Sequence, residues 1–199
     1  MRDTVLSKAV LGQETLLKKA ALVLGGSLFI AMAAQVSVPF YPVPLTMQTL
    51  AILIVGLTFG ARLGALTLVA YLAEGAMGLP VFAGGGSAAA LIGPTAGFLF
   101  GFVGMAWLAG LAVEKGLARG AVSTAVAGIV ISALLYIPGV AWPMAIAEVA
   151  GMTGKWVGSS ADVIWTYWVS PFLLGDAAKA VIAALVVLGG WKVLETRKG

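Results

Sequence analysis

The sequence contains neither cysteine nor histidine among its 199 residues. The lack of cysteine excludes disulfide bonds and thiolate nucleophiles, and the lack of both excludes a zinc finger and a histidine general base. Charged residues are also scarce, at 10%, whereas an ordinary soluble domain carries roughly 25%. So few charges cannot cover a water-facing surface, and the sequence is therefore not that of a soluble globular domain.

Apolar residues dominate what is present, since 61% of the chain is hydrophobic and its mean hydropathy is +1.05. Residues 20–61 contain no Asp, Glu, Lys or Arg. That length allows two membrane crossings, because each crossing needs about 20 apolar residues. The first apolar run ends in a proline-rich segment without a small-residue cleavage site, so we interpret it as a retained helix and not as a signal peptide.

Charge, proline and glycine clusters divide the chain into six predicted helices. These cover residues 20–37, 46–59, 63–76, 94–113, 120–137 and 171–193. The segment 38–44 cannot be helical because its three prolines remove hydrogen-bond donors and fix φ. The segments 78–93, with three consecutive glycines, and 138–169, which has room for short helices, are predicted connections. The expected fold is an all-α integral membrane protein, a six-transmembrane-helix bundle that forms a single membrane domain over residues 1–199.

Basic residues indicate how this bundle is oriented. Six crossings place both termini on one side, and that side receives most of the basic residues, namely Arg2, Lys8, Lys18, Lys19, Arg62, Lys115, Arg119, Lys192, Arg197 and Lys198. The opposite side receives Lys155, and Lys179 lies within the sixth helix. Cytoplasmic loops carry an excess of Lys and Arg, so the bias predicts cytoplasmic termini in a multi-pass cell-membrane protein. The same placement explains the net charge of +4 without nucleic-acid binding.

Small residues repeat every four positions in several predicted helices, which lets helices approach closely in lipid. Two series are made of glycine, namely Gly56, Gly60 and Gly64, and Gly93, Gly97 and Gly101. For these we expect packing within the bundle. The first helix has the same four-residue spacing in two pairs of small residues, Ala21 with Gly25 and Ser27 with Ala31. We predict that this face docks a partner protein.

Asp176 and Lys179 are the deepest charges in the chain, and their spacing places them on one face of the sixth helix. Charges inside a membrane are expensive and by default indicate a functional site. Asp176 lies one to two turns from the outer end of its helix, so the pair is expected to face an outward vestibule. A mutual ion pair without a ligand is the alternative, although such pairs often stabilise no more than apolar packing does.

Other candidate ligand-binding residues gather near the outer ends of helices and in the outer connections. They are Tyr41, Thr46, Gln48, Tyr71, Glu74, Phe82, Gly84 and Gly85. Aromatic residues line ligand pockets as well as membrane interfaces, and Glu74 can alternatively extend its carboxylate to water. We expect no ATP binding, because Val149 and Trp156 stand where a phosphate loop needs Gly and Ser or Thr.

The segment 42–50 (PVPLTMQTL) resembles the BioY family, the biotin-binding S components of energy-coupling-factor (ECF) transporters. The resemblance continues in chain order through further blocks, namely 56–60 (GLTFG), 71–72 (YL), 78–85 (GLPVFAGG), 93–95 (GPT), 97–101 (GFLFG) and 171–179 (PFLLGDAAK). Residues 87–89 (SAA) depart from the family, whose loop is often richer in glycine or polar residues here. Which side chains of the 81–92 loop contact a ligand therefore stays open.

The resemblance implies a bundle of the ECF S-component type that captures biotin from outside and is not an enzyme. Its implied partners are a transmembrane coupling protein and a pair of cytoplasmic ATPases, and it implies no cofactor beyond the transported biotin. With biotin as ligand, we expect Lys179 to contact the valerate carboxylate. Asp176 would accept from the ureido N–H groups or orient Lys179, although the two residues could divide the ligand differently.

Two other classes of protein remain open on the residues alone. A membrane-embedded enzyme would need an Asp-based or Ser-based site, and the predicted helices offer a single Asp, which excludes an aspartic dyad. A secondary transporter of a small carboxylate would use Asp176 as its ion-coupling site, but no inverted repeat supports that mechanism. Binding of biotin without ATP or ions separates both alternatives from an S component.

Overall fold

The computed structural model describes residues 5–11 and 15–198, and helices make up most of them. The α-helices are α1 (Leu6–Leu11), α2 (Leu16–Gln35), α3 (Gln48–Phe59), α4 (Ala61–Ala76), α5 (Ala96–Glu114), α6 (Ala121–Ala141), α7 (Ala147–Val149), α8 (Ala161–Ile164) and α9 (Leu173–Lys198). The two-residue strands β1 (Ser37–Val38) and β2 (Leu45–Thr46) pair antiparallel between α2 and α3. Arg2, which contributes to the predicted orientation, lies outside the described residues.

Four helical segments in the described part of the chain are long and apolar enough to cross a membrane. They are Leu16–Gln35, Ala96–Glu114, Ala121–Val149 and Leu173–Thr196. The apolar helix α3 has 12 residues and α4 has 16, so they span about 18 and 24 Å at about 1.5 Å per residue. The structure therefore confirms a mostly helical protein with four candidate membrane spans in its described residues, and α3 and α4 are shorter than these spans.

The helix ends differ from the sequence prediction most clearly at Pro138. The predicted helix stops at residue 137, whereas α6 continues through Pro138 to Ala141 and then into a π-helical turn, Trp142–Ile146. A Cβ added to Gly101 of α5 would lie 2.8 Å from Pro138 Cγ, so the proline ring packs against a glycine surface. Proline is tolerated within such helices because neighbouring helices accommodate the disrupted backbone.

Other differences concern helix ends and short helices. The helix α2 begins at Leu16 instead of residue 20, with the Thr15 hydroxyl accepting from the Lys18 backbone N–H at 3.4 Å. The helix α9 continues to Lys198, beyond the predicted end at residue 193. The short helix α1 is not predicted from the sequence, because a helix of one or two turns leaves little periodicity to detect. The short helices α7 and α8 lie in the connection 138–169, where the sequence allows short helices.

One glycine series joins α3, α4 and α5. Gly60 separates α3 from α4 with φ of +86°, a conformation that favours glycine, and lets α4 fold back along α3. A Cβ on Gly64 would lie 3.2 Å from the Gly56 Cα, and a Cβ on Gly56 would lie 2.6 Å from the carbonyl oxygen of Ala106. The expected packing within the bundle is therefore confirmed for this series.

The second glycine series joins α5 to α6. A Cβ on Gly97 would lie 2.6 Å from the Trp142 Cβ, and one on Gly101 would lie 2.8 Å from Leu135 Cδ1. Gly93 precedes α5, and its carbonyl oxygen accepts from Trp142 Nε1 at 2.9 Å. These close approaches make α5 the centre of the bundle, in contact with α3, α4 and α6.

Candidate functional site

A cavity of about 320 Å³ lies at the end of the bundle opposite the Gly60 turn. Its walls come from the segments 42–49 and 82–95 and from α5, α6 and α9. Pockets for small organic ligands have volumes of roughly 300–1,000 Å³, so this cavity has room for a compact ligand.

Asp176 is the centre of a hydrogen-bonded cluster on one wall of the cavity. Its Oδ1 accepts from Thr49 Oγ1 and from Lys179 Nζ, each at 3.2 Å. Its Oδ2 accepts from the Tyr136 hydroxyl at 2.7 Å. Lys179 Nζ also donates to Thr49 Oγ1 at 3.2 Å. Thr49, Tyr136, Asp176 and Lys179 all line the cavity, and we call them the Asp176 cluster.

The Asp176 cluster places an ion pair where a ligand can reach it. The Asp176 and Lys179 side chains are 11% and 12% exposed and are separated by 3.2 Å. Their shared face, expected from the i,i+3 spacing, is thus confirmed as a direct contact. Because both residues also line the cavity, the ion pair and ligand binding do not exclude each other. Ligand binding by the pair stays a prediction.

The remaining cavity wall is mainly apolar and aromatic, and includes Phe82, Phe98, Leu99, Phe102, Leu135 and Phe172. The ring of Phe98 stands edge-on to that of Tyr136, with centroids 6.0 Å apart, and so helps to fix the tyrosine beside Asp176. An apolar wall around a small set of convergent polar groups is typical of sites that bind small organic molecules.

Gln48 and Tyr71 support the cavity wall through hydrogen bonds. Gln48 Nε2 donates to the Tyr71 hydroxyl at 2.8 Å, and that hydroxyl donates to the carbonyl oxygen of Val81 at 2.9 Å. Thr46 Oγ1 donates to Gln48 Oε1 at 3.1 Å. The Tyr71 ring is fully buried and stands edge-on to Phe82, with centroids 5.2 Å apart. Tyr71 therefore lies outside the cavity lining and holds Phe82, which is part of that lining, in position.

Gln35, at the end of α2, fastens the loop that carries Phe82. Its Nε2 donates to the Phe82 carbonyl oxygen and its Oε1 accepts from the Gly85 backbone N–H, both at 3.1 Å. Gly84 and Gly85 have φ of +65° and +75°, so the turn that presents these groups requires glycine. The loop over the cavity is in this way fixed to α2.

The structure brings some of the predicted ligand-binding residues to the cavity and leaves others away from it. Those that line it are Thr46, Gln48, Phe82, Asp176 and Lys179, whereas Tyr41, Tyr71, Glu74, Gly84 and Gly85 are not part of its lining. Tyr41 is 74% exposed because it lies in the turn between β1 and β2. Glu74 accepts a 2.7 Å hydrogen bond from Ser27 Oγ, so its carboxylate faces α2 and not the cavity.

Sequence reasoning missed several residues of the site. These are Tyr136 of the Asp176 cluster and, in the apolar wall, Phe98, Phe102 and Phe172. Thr49 is not among them, because the sequence places it with the polar residues near the outer end of the second predicted helix. The sequence does contain a signal for Tyr136, which is the sole tyrosine in the apolar segment 121–141. It contains no signal for the phenylalanines, because an apolar residue is expected in a membrane helix whether it faces lipid, the protein core or a cavity.

The face predicted for docking divides into two halves. Ala21 and Gly25 are exposed on α2, and a Cβ on Gly25 would meet no atom within 4 Å. Ser27 and Ala31 are buried, with 1% and 8% exposure. Ser27 instead hydrogen-bonds Glu74 of α4, so the prediction that Ser27 and Ala31 form an outward docking face is wrong. Their four-residue spacing serves packing within the bundle.

Apolar helices around a cavity with one ionic cluster define a membrane-embedded protein that binds a small molecule. The family model of the BioY family matches residues 4–196, and the chain belongs to that family. It is 34% identical to the biotin transporter BioY of Rhizobium etli over 84% of its own length and 90% of the relative's. It is also 34% identical to the probable biotin transporter BioY of Pyrococcus horikoshii, over 80% and 90% of the two chains.

A solved structure has the same fold. The crystal structure at 2.1 Å of the S-component for biotin from an ECF-type ABC transporter matches with a TM-score of 0.63. The match covers 94% of this chain and 96% of that chain at 22% sequence identity. The bundle described above is therefore of the S-component type.

Proposed function

We propose that this chain is the substrate-binding S component of a vitamin uptake transporter, and that its ligand is biotin. The Asp176 cluster in the wall of an otherwise apolar cavity is the observation that carries the proposal. Membership of the BioY family and the relatives described as biotin transporters support biotin over other small molecules. The chain acts by binding and not by catalysis.

The unused hydrogen-bonding groups of the Asp176 cluster indicate which part of biotin it suits. The Asp176 carboxylate has about four acceptor sites and uses three, while the Lys179 ammonium has three donors and uses two within the cluster. One acceptor, on Asp176 Oδ2, and one donor, on Lys179 Nζ, therefore remain in the cluster. A ureido edge presents N–H next to C=O and so complements this pair, with Asp176 accepting and Lys179 donating.

In a second orientation of biotin, Lys179 contacts the biotin carboxylate, as expected from the sequence. This contact would use the remaining ammonium donor. It would also bring the biotin carboxylate close to the Asp176 carboxylate, and the repulsion between the two like charges disfavours this orientation. The apolar wall suits the bicycle and the valerate chain of biotin in either orientation.

Calorimetric titration of the purified chain with biotin tests the proposed function. We expect saturable binding of one biotin per chain in detergent, without ATP and independent of the coupling ions present. A secondary transporter would need its coupling ion for tight binding, and an enzyme would convert the ligand. Absence of heat and of any retained biotin by native mass spectrometry would contradict the proposal.

We also propose that six helices cross the membrane, α2 to α6 and α9, as one domain with both termini in the cytoplasm. Glu114 Oε1 accepts from the Ala61 backbone N–H at 2.9 Å, so Arg62 and Lys115 lie at the same end of the bundle. The cavity lies at the opposite end. Excess basic charge favours a cytoplasmic location for the Arg62 end, and the cavity then opens to the outside.

Single-cysteine labelling of intact cells checks this topology, because the natural chain has no cysteine. We expect a membrane-impermeant maleimide to label Lys155→Cys and not Leu117→Cys, since they lie in connections on opposite sides. Leu117 is 64% exposed, so its protection would come from the membrane and not from burial. Permeabilised cells provide the control, in which both positions should react. Labelling of 117 but not 155 in intact cells would reverse the topology.

For energised transport we propose docking of a transmembrane coupling protein, which joins the chain to a pair of cytoplasmic ATPases, on the exposed Ala21 and Gly25 face of α2. Leu24 and Leu28 beside this face are 61% and 60% exposed, so apolar surface flanks the small residues. Small residues let a second helix approach closely in lipid.

Substitution by tryptophan separates docking from bundle packing. We expect Ala21→Trp to abolish energised biotin uptake while leaving biotin binding within about twofold, because it alters an exposed surface. Ala31→Trp should lose both, since Ala31 is 8% exposed and its surroundings cannot accept an indole. Uptake with the partner subunits and calorimetric titration of the isolated chain give the two readouts. Normal uptake by Ala21→Trp would exclude docking at this face.

A further inference from the structure

The helices α5 and α6 pack closely at the cavity end and leave a groove toward the Gly60 end. Gly101 of α5 fits against Pro138, whereas a Cβ on Gly104 would meet no atom within 4 Å. Further along α6, a Cβ on Gly128 would lie 3.0 Å from the Ala180 Cβ of α9. There α6 packs closely on α9, and a groove of about 400 Å³ separates it from α5.

The groove is apolar except at one end. Leucine, isoleucine, valine and alanine side chains of both helices line it, with Leu111 and Val130 on facing walls. Its polar lining residues are Ser123 and Lys115. The Ser123 hydroxyl already accepts from the Gly120 N–H at 3.0 Å and donates to the Gly120 carbonyl at 3.2 Å. Lys115 therefore supplies the charge with which an occupant would interact.

The dimensions of the groove resemble those of part of one lipid chain. Along α5 it runs from Leu108 to Lys115, about 10 Å at about 1.5 Å per residue. One leaflet contributes about half of a hydrocarbon core of roughly 30 Å. At the end of the groove the Arg119 side chain folds against Gly116, next to Lys115, so the groove ends at a basic rim.

We propose that this groove binds one anionic phospholipid, with an acyl chain along the apolar walls and the phosphate at Lys115. The ammonium and the phosphate form a charge-assisted contact, and basic sites between membrane helices bind acidic headgroups. The proposed topology places this lipid in the cytoplasmic leaflet. The choice of leaflet depends on the proposed topology, whereas the binding of the lipid to the groove does not.

Native mass spectrometry of the full chain, titrated in detergent with dioleoyl phosphatidylglycerol or dioleoyl phosphatidylcholine, tests the site. We expect one phosphatidylglycerol adduct to be retained at least several-fold more than the phosphatidylcholine adduct. Lys115→Ala should bring the two lipids to the same level. Val130→Phe should lower both adducts, because Val130 lines the groove and a phenyl ring would fill it.

Matched controls keep the outcome interpretable. Lys192→Ala removes a basic residue of α9, and Ile129→Phe enlarges an exposed residue of α6 outside the groove lining, so neither should change lipid retention. Biotin titration and thermal unfolding report separately on the ligand site and on folding. Equal retention of the two lipids by the natural chain would overturn the proposal. A second result would also overturn it: Val130→Phe leaves both lipid adducts unchanged but loses binding of the coupling protein. The groove would then be a binding site for a protein.

Discussion

Replacing Lys179 with Met should weaken biotin binding by roughly ten- to a hundredfold. The change keeps the aliphatic stem and removes the ammonium, which has one donor left for the ligand. A hydrogen bond to a charged group is worth about 1.5–3 kcal/mol. At about 1.4 kcal/mol per factor of ten, losing it gives the stated range. Calorimetric titration measures the effect, and Lys192→Met, an exposed position on the same helix, is the control that should bind normally.

The double variant Asp176→Asn/Lys179→Met separates ligand contact from a purely structural ion pair. If the two residues served only to neutralise each other, single variants would leave a buried charge and lose folding, and the double variant would recover folding and binding. We expect instead that the double variant folds and still binds weakly. Recovery of tight binding in the double variant would contradict the role of the pair in the ligand site.

Biotinamide distinguishes the two orientations of the ligand. It lacks the carboxylate but keeps the ureido ring. If the Asp176 cluster holds the ureido edge, Lys179→Met should weaken biotin and biotinamide by similar factors. If Lys179 holds the carboxylate, biotinamide should bind the natural chain poorly and be nearly insensitive to Lys179→Met.

The charged part of the site was predictable from the sequence, and much of the rest was not. Burying a charged side chain in a membrane is costly, so the charges of Asp176 and Lys179 within a predicted helix indicate a functional site. Their partner Tyr136 comes from a helix that is distant in sequence, and only the packing of α6 on α9 brings it to 2.7 Å from Asp176. Tyr71 was predicted as a ligand residue, yet its hydroxyl is consumed by Gln48 and Val81.

In the fold, too, the features that depend on a residue's own backbone were predictable, and those that depend on packing between helices were not. Three prolines keep residues 38–44 out of any helix, as predicted, because a proline restricts its own backbone. Pro138 does not end its helix, because Gly101 of α5 leaves room for its ring. A four-residue repeat identifies a close contact but not its partner, which is why Ser27 and Ala31 were assigned to the wrong surface.

Gly110→Ala should strongly destabilise the protein and Gly104→Ala should not, although both make the same change in one helix. A Cβ on Gly110 would overlap the backbone of Gly60 and Ala61, which the α3–α4 turn cannot move away, whereas a Cβ on Gly104 would meet no atom within 4 Å.

Overpacking costs about 1–3 kcal/mol or more, and rigid backbone places Gly110→Ala at or above the upper end of that range. Alanine gains about 0.5–1 kcal/mol over glycine in a helix, so Gly104→Ala should be neutral or slightly stabilising. Thermal unfolding in detergent, followed by tryptophan fluorescence and by recovery of monodisperse protein, measures both. We expect little folded Gly110→Ala and an unchanged or higher Tm for Gly104→Ala, and equal Tm values for the two variants would show that the contact between α5 and the Gly60 turn does not hold the bundle together.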